Sequence, residues 1–230
     1  MSFVWKLATT DRDVSGQYFI PDVALSAVRY EPAPVCDDWR QRVPELSSAR
    51  VTLRELRAAD AMSLFTVVSD PEVSRFISPP PATIGAFEQF IAWAQRQRAG
   101  GHGVAYAVVP RGSDAAVGLF QLRALQPGFA NGEWGFLLAP EFWASGMFLD
   151  SARLVLTFAF GIAGVRRLEA RAAARNVRGN AALRKIGAVR EGTLRKSFLR
   201  NGEVLDQALW TILADEWGAS QQPRESAVIH

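Results

Sequence analysis

The stretch EFWASGMFLDSARLV, residues 141–155, connects a strand pattern to the most hydrophobic helix pattern of the chain. Three small residues, Ala144, Ser145 and Gly146, stand immediately before that helix. The N–H groups in the first turn of a helix have no intrahelical partners, and the helix dipole adds roughly half a positive charge there. Small residues let a phosphate approach this backbone closely. The stretch therefore predicts an anion-binding turn, with an ordinary strand-to-helix connection as the alternative.

The segments before this turn predict one strand, two helices and a meander of three antiparallel strands. RVTLREL (50–56) alternates apolar and polar residues, which is typical of a strand. Two helix patterns follow, and Asp60 is the predicted cap of the first. The meander strands are GVAYAVVP (103–110), AVGLFQLRAL (116–125) and NGEWGFLLAP (131–140).

The segments after the turn predict a long helix, a strand, a short helix and a final hairpin. The long helix is expected to end at Gly164, RRLEARAAA (166–174) alternates as a strand, and NVRGNAALRKIGA (176–188) contains the short helix. Asn201 and Gly202 form the predicted hairpin turn. A long helix between the third meander strand and the next strand makes a parallel crossover. The order predicts an α/β or α+β domain, with a mixed sheet of about six to seven strands flanked by helices.

Length and composition predict one globular domain with an addition at each end. The chain has 230 residues, of which 49% are apolar and 21% are charged, and these fractions are ordinary for a globular protein. We expect an N-terminal extension over residues 1–48, the domain over 49–217 and a C-terminal tail over 218–230. The extension has little periodicity and several prolines, so it is expected to drape over the domain.

Cysteine, histidine and hydropathy patterns exclude several classes of site. One cysteine, Cys36, cannot form an intrachain disulfide, and the two histidines, His102 and His230, lie far apart in the sequence. No Cys/His cluster has zinc spacing, so we expect no metal. The longest apolar stretch, 154–165, is too short to span a membrane, and the N-terminus lacks a signal-peptide core. We therefore expect a cytoplasmic protein without a membrane partner.

Residues 166–200 carry eleven Lys and Arg residues, opposed only by Glu169 and Glu191. Such a run predicts either a solvated basic face or a local field that attracts a polyanionic ligand. Binding of RNA or ribosomes is one alternative, but the sequence has no aromatic stacking array or base-reading motif. A nucleic-acid partner therefore ranks last.

Several different short motifs follow one another along residues 50–213. The residues that carry them are Glu133, Gly135, Phe136, Leu138, Pro140, Trp143, Gly146, Leu168, Ala170, Asn176, Lys185, Gly187, Glu191 and Gly192. No single motif is specific, but their combined order and spacing resemble the GNAT superfamily of acyl-CoA N-acyltransferases, in particular its RimJ/RimL-type branch. The resemblance does not cover the N-terminal extension.

The resemblance implies a splayed sheet with acetyl-CoA, the acyl donor, wedged between two strands. The strand that ends the meander would present backbone groups of Leu137, Leu138 and Ala139 to the pantetheine arm. Asn176 would contact the cofactor from the next crossover, with Asn180 as a second candidate. The pyrophosphate would lie on the turn and helix start formed by Trp143, Ala144, Ser145, Gly146, Met147 and Phe148.

The turn departs from the family pattern at several positions. Ala144 replaces the first glycine of the loop, Ser145 replaces the usual basic residue, and Phe148 replaces a small residue. Gly179 stands where the family has serine after Asn176. A side chain in the first turn tilts back along the helix, so the ring of Phe148 either points away from the phosphates or crowds them. A non-catalytic binding module with a degenerate cofactor loop is therefore the alternative to an enzyme.

The implied reaction is acetyl transfer to a primary amine, either a small molecule or a protein or peptide N-terminus. Glu133 is the candidate base, and its alternative role is a strand glutamate paired with a surface arginine. A backbone N–H near Leu137 or Leu138 would hold the oxyanion. Relatives often have a tyrosine acid where this chain has Leu183, so no general acid is named. The N-terminal extension would cap the acceptor side or make a homodimer contact.

Overall fold

The computed structural model describes residues 38–221, and the side chains of residues 38–218. The elements in chain order are β1 Leu46–Ser47, β2 Val51–Glu55, α1 Ala61–Ser69, α2 Pro71–Ser74, α3 Ile84–Ala99, β3 Gly103–Pro110, β4 Gly118–Ala124, β5 Asn131–Leu138, α4 Met147–Gly161, β6 Arg167–Ala173, α5 Val177–Lys185, β7 Val189–Arg200, β8 Glu203–Leu213 and α6 Ala214–Gln221. Short 3₁₀ turns precede α1 and follow β5. Most of the predicted extension, Cys36 and His230 lie outside the described residues.

The described strands form one open mixed sheet in the order β1-β2-β3-β4-β5-β6-β8-β7. Every neighbouring pair is antiparallel except β5 and β6, which are parallel. The predicted crossover through the long helix and the mixed α/β class are therefore confirmed. The sheet has eight strands rather than six to seven, because the two-residue strand β1 pairs with β2 at the edge.

The parallel pairing of β5 with β6 is short, and this opens the sheet. Only Asn131, Gly132 and Glu133 have register partners on β6. Beyond Glu133, β5 stays paired with β4 through Leu138, but its other edge has no partner strand among the described residues. The two halves of the sheet therefore diverge toward the C-terminal end of β5.

Apolar side chains on the two faces of β5 belong to separate hydrophobic clusters. Trp134, Phe136 and Leu138 pack in the cluster that contains the buried face of α4. Leu137 and Ala139 pack in the cluster beneath α1 and α3. Successive side chains of a strand point to opposite faces, so β5 divides the core into these two layers.

One predicted helix start agrees with the structure and one predicted helix end differs from it. Asp60 stands at the predicted N-cap position of α1 but makes no capping bond, because its carboxylate accepts hydrogen bonds from Arg54 and from the N–H of Arg57. The long helix α4 ends at Gly161 instead of Gly164. Gly164 lies in the following turn with φ 73°, in the left-handed region that glycine adopts readily.

Candidate active site

A cleft of about 580 Å³ lies where β5 diverges from β6. Its walls come from the end of β5, the turn before α4, the first turn of α4, α5, and the segment around α2. The predicted cofactor residues that line it are Leu137, Leu138, Trp143, Ala144, Gly146, Phe148 and Asn176. The predicted residues outside its lining are Glu133, Ala139, Ser145, Met147 and Asn180.

The open edge of β5 offers the backbone of Phe136 and Leu138 to the cleft. The N–H of Ala139 donates to Val117 (2.8 Å), which marks a hydrogen-bonded pair of the β4–β5 ladder. Because such pairs alternate along an antiparallel ladder, the backbone groups of Leu137 also face β4, and those of Phe136 and Leu138 face the cleft. The carbonyl of Leu138 accepts a hydrogen bond from the indole of Trp143 (2.8 Å). Of the three predicted pantetheine contacts, only Leu138 directs its backbone toward the cleft.

The turn before α4 is held by two left-handed residues and one serine. Ala144 has φ 61° and Gly146 has φ 86°. The hydroxyl of Ser145 donates to the carbonyl of Phe142 (2.6 Å) and accepts the N–H of Met147 (3.2 Å). Ser145 therefore stabilises the turn from within, while Met147 is buried in the core. The N–H groups of the next two residues belong to the first turn of α4, where helix geometry provides no intrahelical acceptor.

Phe148 forms part of the cleft wall and packs against the sheet. Its ring centroid lies 4.5 Å from that of Phe136 and 6.0 Å from that of Phe120. These contacts direct the aromatic ring toward β4 and β5. The side chain continues the apolar layer beneath α4 to the edge of the cleft.

The two candidate asparagines of the α5 region have different roles. Asn176 caps α5, because its Oδ1 accepts the N–H of Gly179 (2.8 Å). A Cβ at Gly179 would come within 2.5 Å of the Asn176 side-chain nitrogen, so this cap arrangement requires glycine there. Asn180 donates to the carbonyls of Ala173 and Asn176 and accepts from Trp210. Both N–H donors and the oxygen of its amide thus have partners inside the fold, and Asn176 is the one of the two that lines the cleft.

Glu133 is buried beside the point where β5 and β6 begin to diverge, which we call the vertex of the splay. One of its carboxylate oxygens accepts hydrogen bonds and the other accepts none from the described residues. Its side chain is 3% exposed. Arg123, its cross-strand partner on β4, donates to Oε2 from both Nε (2.9 Å) and Nη2. Oε1 is buried without a hydrogen bond among the described residues, and Nη1 of Arg171 lies 3.8 Å from it. One oxygen of this carboxylate is therefore fixed by an arginine, and the other is buried with its hydrogen-bonding capacity unused in the described part of the chain.

A charged row continues from Glu133 across the sheet. Arg171 Nη2 lies 3.6 Å from Glu169, and Arg167 bonds both Glu169 and Glu191. All of these contacts lie on the face opposite α4. Two of the eleven basic residues of the run, Arg167 and Arg171, are therefore paired with carboxylates on this face of the sheet.

A second cleft of about 580 Å³ lies on that same face, beside the C-terminal end of α3. Arg123, which holds Glu133, is among its lining residues, together with Trp93, Gln97 and Gln121. Arg123 was not among the site residues predicted from the sequence. Strand register places it opposite Glu133, and the alternation within each meander strand does not determine that register.

Comparison with known proteins identifies the family. The model of the acetyltransferase (GNAT) domain matches residues 50–189. The chain belongs to the GNAT acetyltransferase family. It is accordingly an acyltransferase. The residues that line the cleft at the splay all lie within the region that the GNAT family model matches.

Individual GNAT relatives match most of the chain. The N-acetyltransferase YoaA of Bacillus subtilis (strain 168), itself named as uncharacterized, is 26% identical over 74% of this chain and 97% of its own length. YdaF from the same strain, named as a candidate ribosomal N-acetyltransferase, is 26% identical over 73% of this chain and 93% of its own length. The crystal structure of a probable GNAT acetyltransferase from Chromobacterium violaceum ATCC 12472 superposes with a TM-score of 0.69. It is 24% identical, covers 88% of this chain and 99% of that one, and shows the shared fold.

The cleft at the splay is positively charged. Its ionisable lining residues are Glu72, Arg75, Arg175, Arg178 and Lys185. Four cations thus face one carboxylate, which favours a ligand with several negative charges. Within residues 38–221, no group of three or more His, Cys, Asp or Glu residues is arranged to hold a metal ion. No helix of that part of the chain has the length and apolar character needed to cross a membrane.

Proposed function

We propose that this protein transfers the acetyl group of acetyl-CoA to a primary amine, with Glu133 as the proton acceptor. The observation that carries the proposal is the juxtaposition at the splay. A polar backbone edge and a helix N-terminus line the cleft on one side, and a buried carboxylate with a bare oxygen lies beside its vertex. A donor and an acceptor could therefore approach the same point from opposite faces of the sheet.

The residues of the cleft fit an elongated ligand that ends in phosphates. GNAT acetyltransferases use acetyl-CoA, which supplies an activated thioester carbonyl. The open N–H of Leu138 would bind the polar arm, and the first-turn amides of α4 together with the left-handed turn at Ala144 and Gly146 would bind the diphosphate. Asn176 would contribute its free side-chain nitrogen. The apolar wall formed by Phe136 and Phe148 would exclude water from the arm.

Glu133 would accept the proton that the amine must lose. Deprotonating an α-amino group at neutral pH costs only about 1–1.5 kcal/mol, whereas a lysine side chain costs roughly 4–5 kcal/mol. Arg123 fixes one carboxylate oxygen and leaves Oε1 for the amine or for a bridging water. Positioning the two reactants at the vertex would supply much of the remaining rate enhancement.

The preferred acceptor is an α-amino group, as at a protein or peptide N-terminus. The low cost of its deprotonation favours it for a site in which we identify one base and no general acid. The name of YdaF and the RimJ/RimL-type motifs are consistent with this choice. The second cleft, with Trp93, Gln97 and Gln121, is the acceptor entrance that we propose. We place the reaction in the cytoplasm, and a homodimer contact by the N-terminal extension remains our expectation.

Calorimetry and a thiol-release assay test the proposal. Purified protein is titrated with acetyl-CoA and then assayed with peptides carrying free N-termini and with small primary amines. We expect binding in the micromolar range and thiol release that depends on the amine. Lack of binding at millimolar acetyl-CoA would remove the donor assignment.

Two matched variants test the base. Glu133→Gln is expected to lower kcat by about 10²–10⁴-fold while acetyl-CoA affinity is kept. Glu169→Gln, which changes a neighbouring carboxylate of the same charged row, is the control and should retain most of the turnover. Equal activity of both variants would assign Glu133 to the ion pairs alone.

A further inference from the structure

Arg178 stacks on the turn that precedes α4. Its guanidinium carbon lies 3.4 Å from the centroid of the Trp143 ring. Trp143 is itself anchored, because its indole N–H donates to the carbonyl of Leu138 (2.8 Å). Arg178, Trp143 and Leu138 all line the cleft at the splay. Arg178, in the first turn of α5, therefore reaches across the mouth of the cleft to the turn of α4.

The ion pair that Arg178 forms with Glu72 is weak. Nη2 of Arg178 lies 3.5 Å from Glu72 of α2, and the two side chains are 55% and 68% exposed. Exposed ion pairs of this kind contribute little free energy. Stacking occupies the face of the guanidinium but not its N–H edge, which stays available for a planar or phosphate acceptor.

The turn itself lacks a cation. Ser145 stands where the family pattern has a basic residue, and both hydrogen bonds of its hydroxyl remain within the turn. We propose that Arg178 supplies the missing charge: it stays stacked on Trp143 and exchanges Glu72 for a phosphate oxygen of acetyl-CoA. This assignment rests on the proposed function and identifies a specificity residue for its donor.

Arginine at this position combines two properties that lysine lacks. A planar guanidinium can stack on an indole and still donate two parallel hydrogen bonds to a phosphate. The ammonium group of lysine retains the charge, but it cannot stack as a plane on the indole or donate two parallel hydrogen bonds to one phosphate. Lys185 lies two turns further along α5 and also lines the cleft, so the same helix face carries a second cation for the ligand.

Binding of acetyl-CoA to the wild type and four variants tests the assignment by calorimetry. Arg178→Gln is expected to weaken binding about 10- to 30-fold, and Arg178→Lys to show an intermediate loss. Arg184→Gln, which removes a cation of the same helix that does not line the cleft, is the matched control and should bind within about twofold of the wild type. Glu72→Gln removes the competing carboxylate and is expected to tighten binding about two- to threefold.

Dephospho-CoA, which lacks the 3′-phosphate, shows whether Arg178 binds the 3′-phosphate or the diphosphate. If Arg178 binds the 3′-phosphate, Arg178→Gln should lose the preference for CoA over dephospho-CoA. If it binds the diphosphate, the preference is kept and both ligands weaken equally. Wild-type affinity for Arg178→Gln, or a loss no greater than that of Arg184→Gln, would overturn the inference while the proposed function stands. Failure of the wild-type protein to bind acetyl-CoA would instead overturn both.

Discussion

Arg54 and Asp60 form a buried ion pair that connects β2 to the start of α1. Two guanidinium nitrogens each lie 2.8 Å from a carboxylate oxygen, and the side chains are 8% and 4% exposed. The hydrogen bonds that Arg54 donates to Asp60 raise the pKa of Arg54 further above its ordinary value, so its charge is permanent. Removing one partner leaves the other charge buried. We expect Asp60→Asn to lower the free energy of unfolding by about 3–5 kcal/mol in chemical denaturation.

Arg57 provides the control for this residue. It lies next to the pair in sequence, but its side chain is 58% exposed and 3.7 Å from Asp114. Arg57→Gln is therefore expected to change the free energy of unfolding by less than about 0.5 kcal/mol. Similar losses in the two variants would mean that burial does not set the strength of the Arg54–Asp60 pair.

At the level of single residues, the sequence predicted positions better than roles. It placed Asp60 at a helix start, Asn176 at the start of the short helix and Glu133 on the third meander strand, but it could not show which partners their side chains would have. Asp60 binds an arginine six residues earlier, and Glu133 binds one ten residues earlier on another strand. Such pairings depend on strand register, which a local pattern does not determine.

The turn before α4 contains a strained alanine beside a relaxed glycine. Both Ala144 and Gly146 have positive φ, a conformation that costs an L-residue about 1–2 kcal/mol and glycine very little. Ala144→Gly is expected to raise the free energy of unfolding by about 0.5–1 kcal/mol, and Gly146→Ala to lower it by about 1 kcal/mol. A Cβ at Gly146 would meet only the Arg50 side chain at 3.7 Å, so backbone strain alone would account for the loss.

Chemical denaturation of both variants measures these opposite changes. Destabilisation by both substitutions would show that the turn tolerates no change of backbone preference at either position. The expected opposite signs would explain why the family pattern carries glycine where this chain has Ala144.

The Arg167–Glu191 pair joins β6 to β7 across the intervening β8. Two hydrogen bonds of 2.8 and 2.6 Å from Arg167 hold the pKa of Glu191 below its ordinary value. A carboxyl group with a lowered folded pKa stabilises the protein above its unfolded pKa, near 4.5, and loses that contribution as pH falls through the folded pKa. Because Glu191 is 38% exposed, the contribution is expected to stay below about 1 kcal/mol.

Denaturation of the wild type and Glu191→Gln between about pH 7 and pH 3.5 tests this linkage. The wild type is expected to be the more stable at neutral pH, and the difference should shrink as the pH falls below about 4.5. Glu88→Gln, at an exposed carboxylate of α3 with no ion pair in the described part of the chain, is the control. A difference that grows on acidification would contradict the assigned sign.

At the level of elements, sequence periodicity located the long helices and strands correctly but did not reveal the shortest ones. The three meander strands, α3, α4, α5 and the final hairpin lie where the sequence predicted them. The strand β1 has two residues and α2 has four, which is too few for either period to be recognised. The predicted boundaries of the domain at residues 49 and 217 stay predictions, although buried Trp39 and Val43 belong to the core as well.

At the scale of the whole described region, residues 38–221, the sheet consists of two halves joined by very few parallel contacts. Strands β1 to β5 form one half and β6 to β8 the other, and only three register pairs connect them. Local patterns predicted the crossover but not the divergence beyond Glu133, which only the family resemblance implied. Divergence is a property of how the two halves pack on α4 and α5, and no single segment encodes it.

A ligand that contacts both walls of the cleft should stabilise the two halves together. At a concentration of 100 times its Kd, acetyl-CoA is expected to raise the free energy of unfolding by about 2.7 kcal/mol. Amide hydrogen exchange should slow both at the open edge of β5, near Leu138, and in the first turn of α5, near Arg178. Protection on one wall alone would mean that the ligand lies on the surface of one half rather than in the splay. CoA and dephospho-CoA at matched occupancy provide the comparison, because any phosphate-dependent protection near Arg178 should differ between them only if the 3′-phosphate makes that contact.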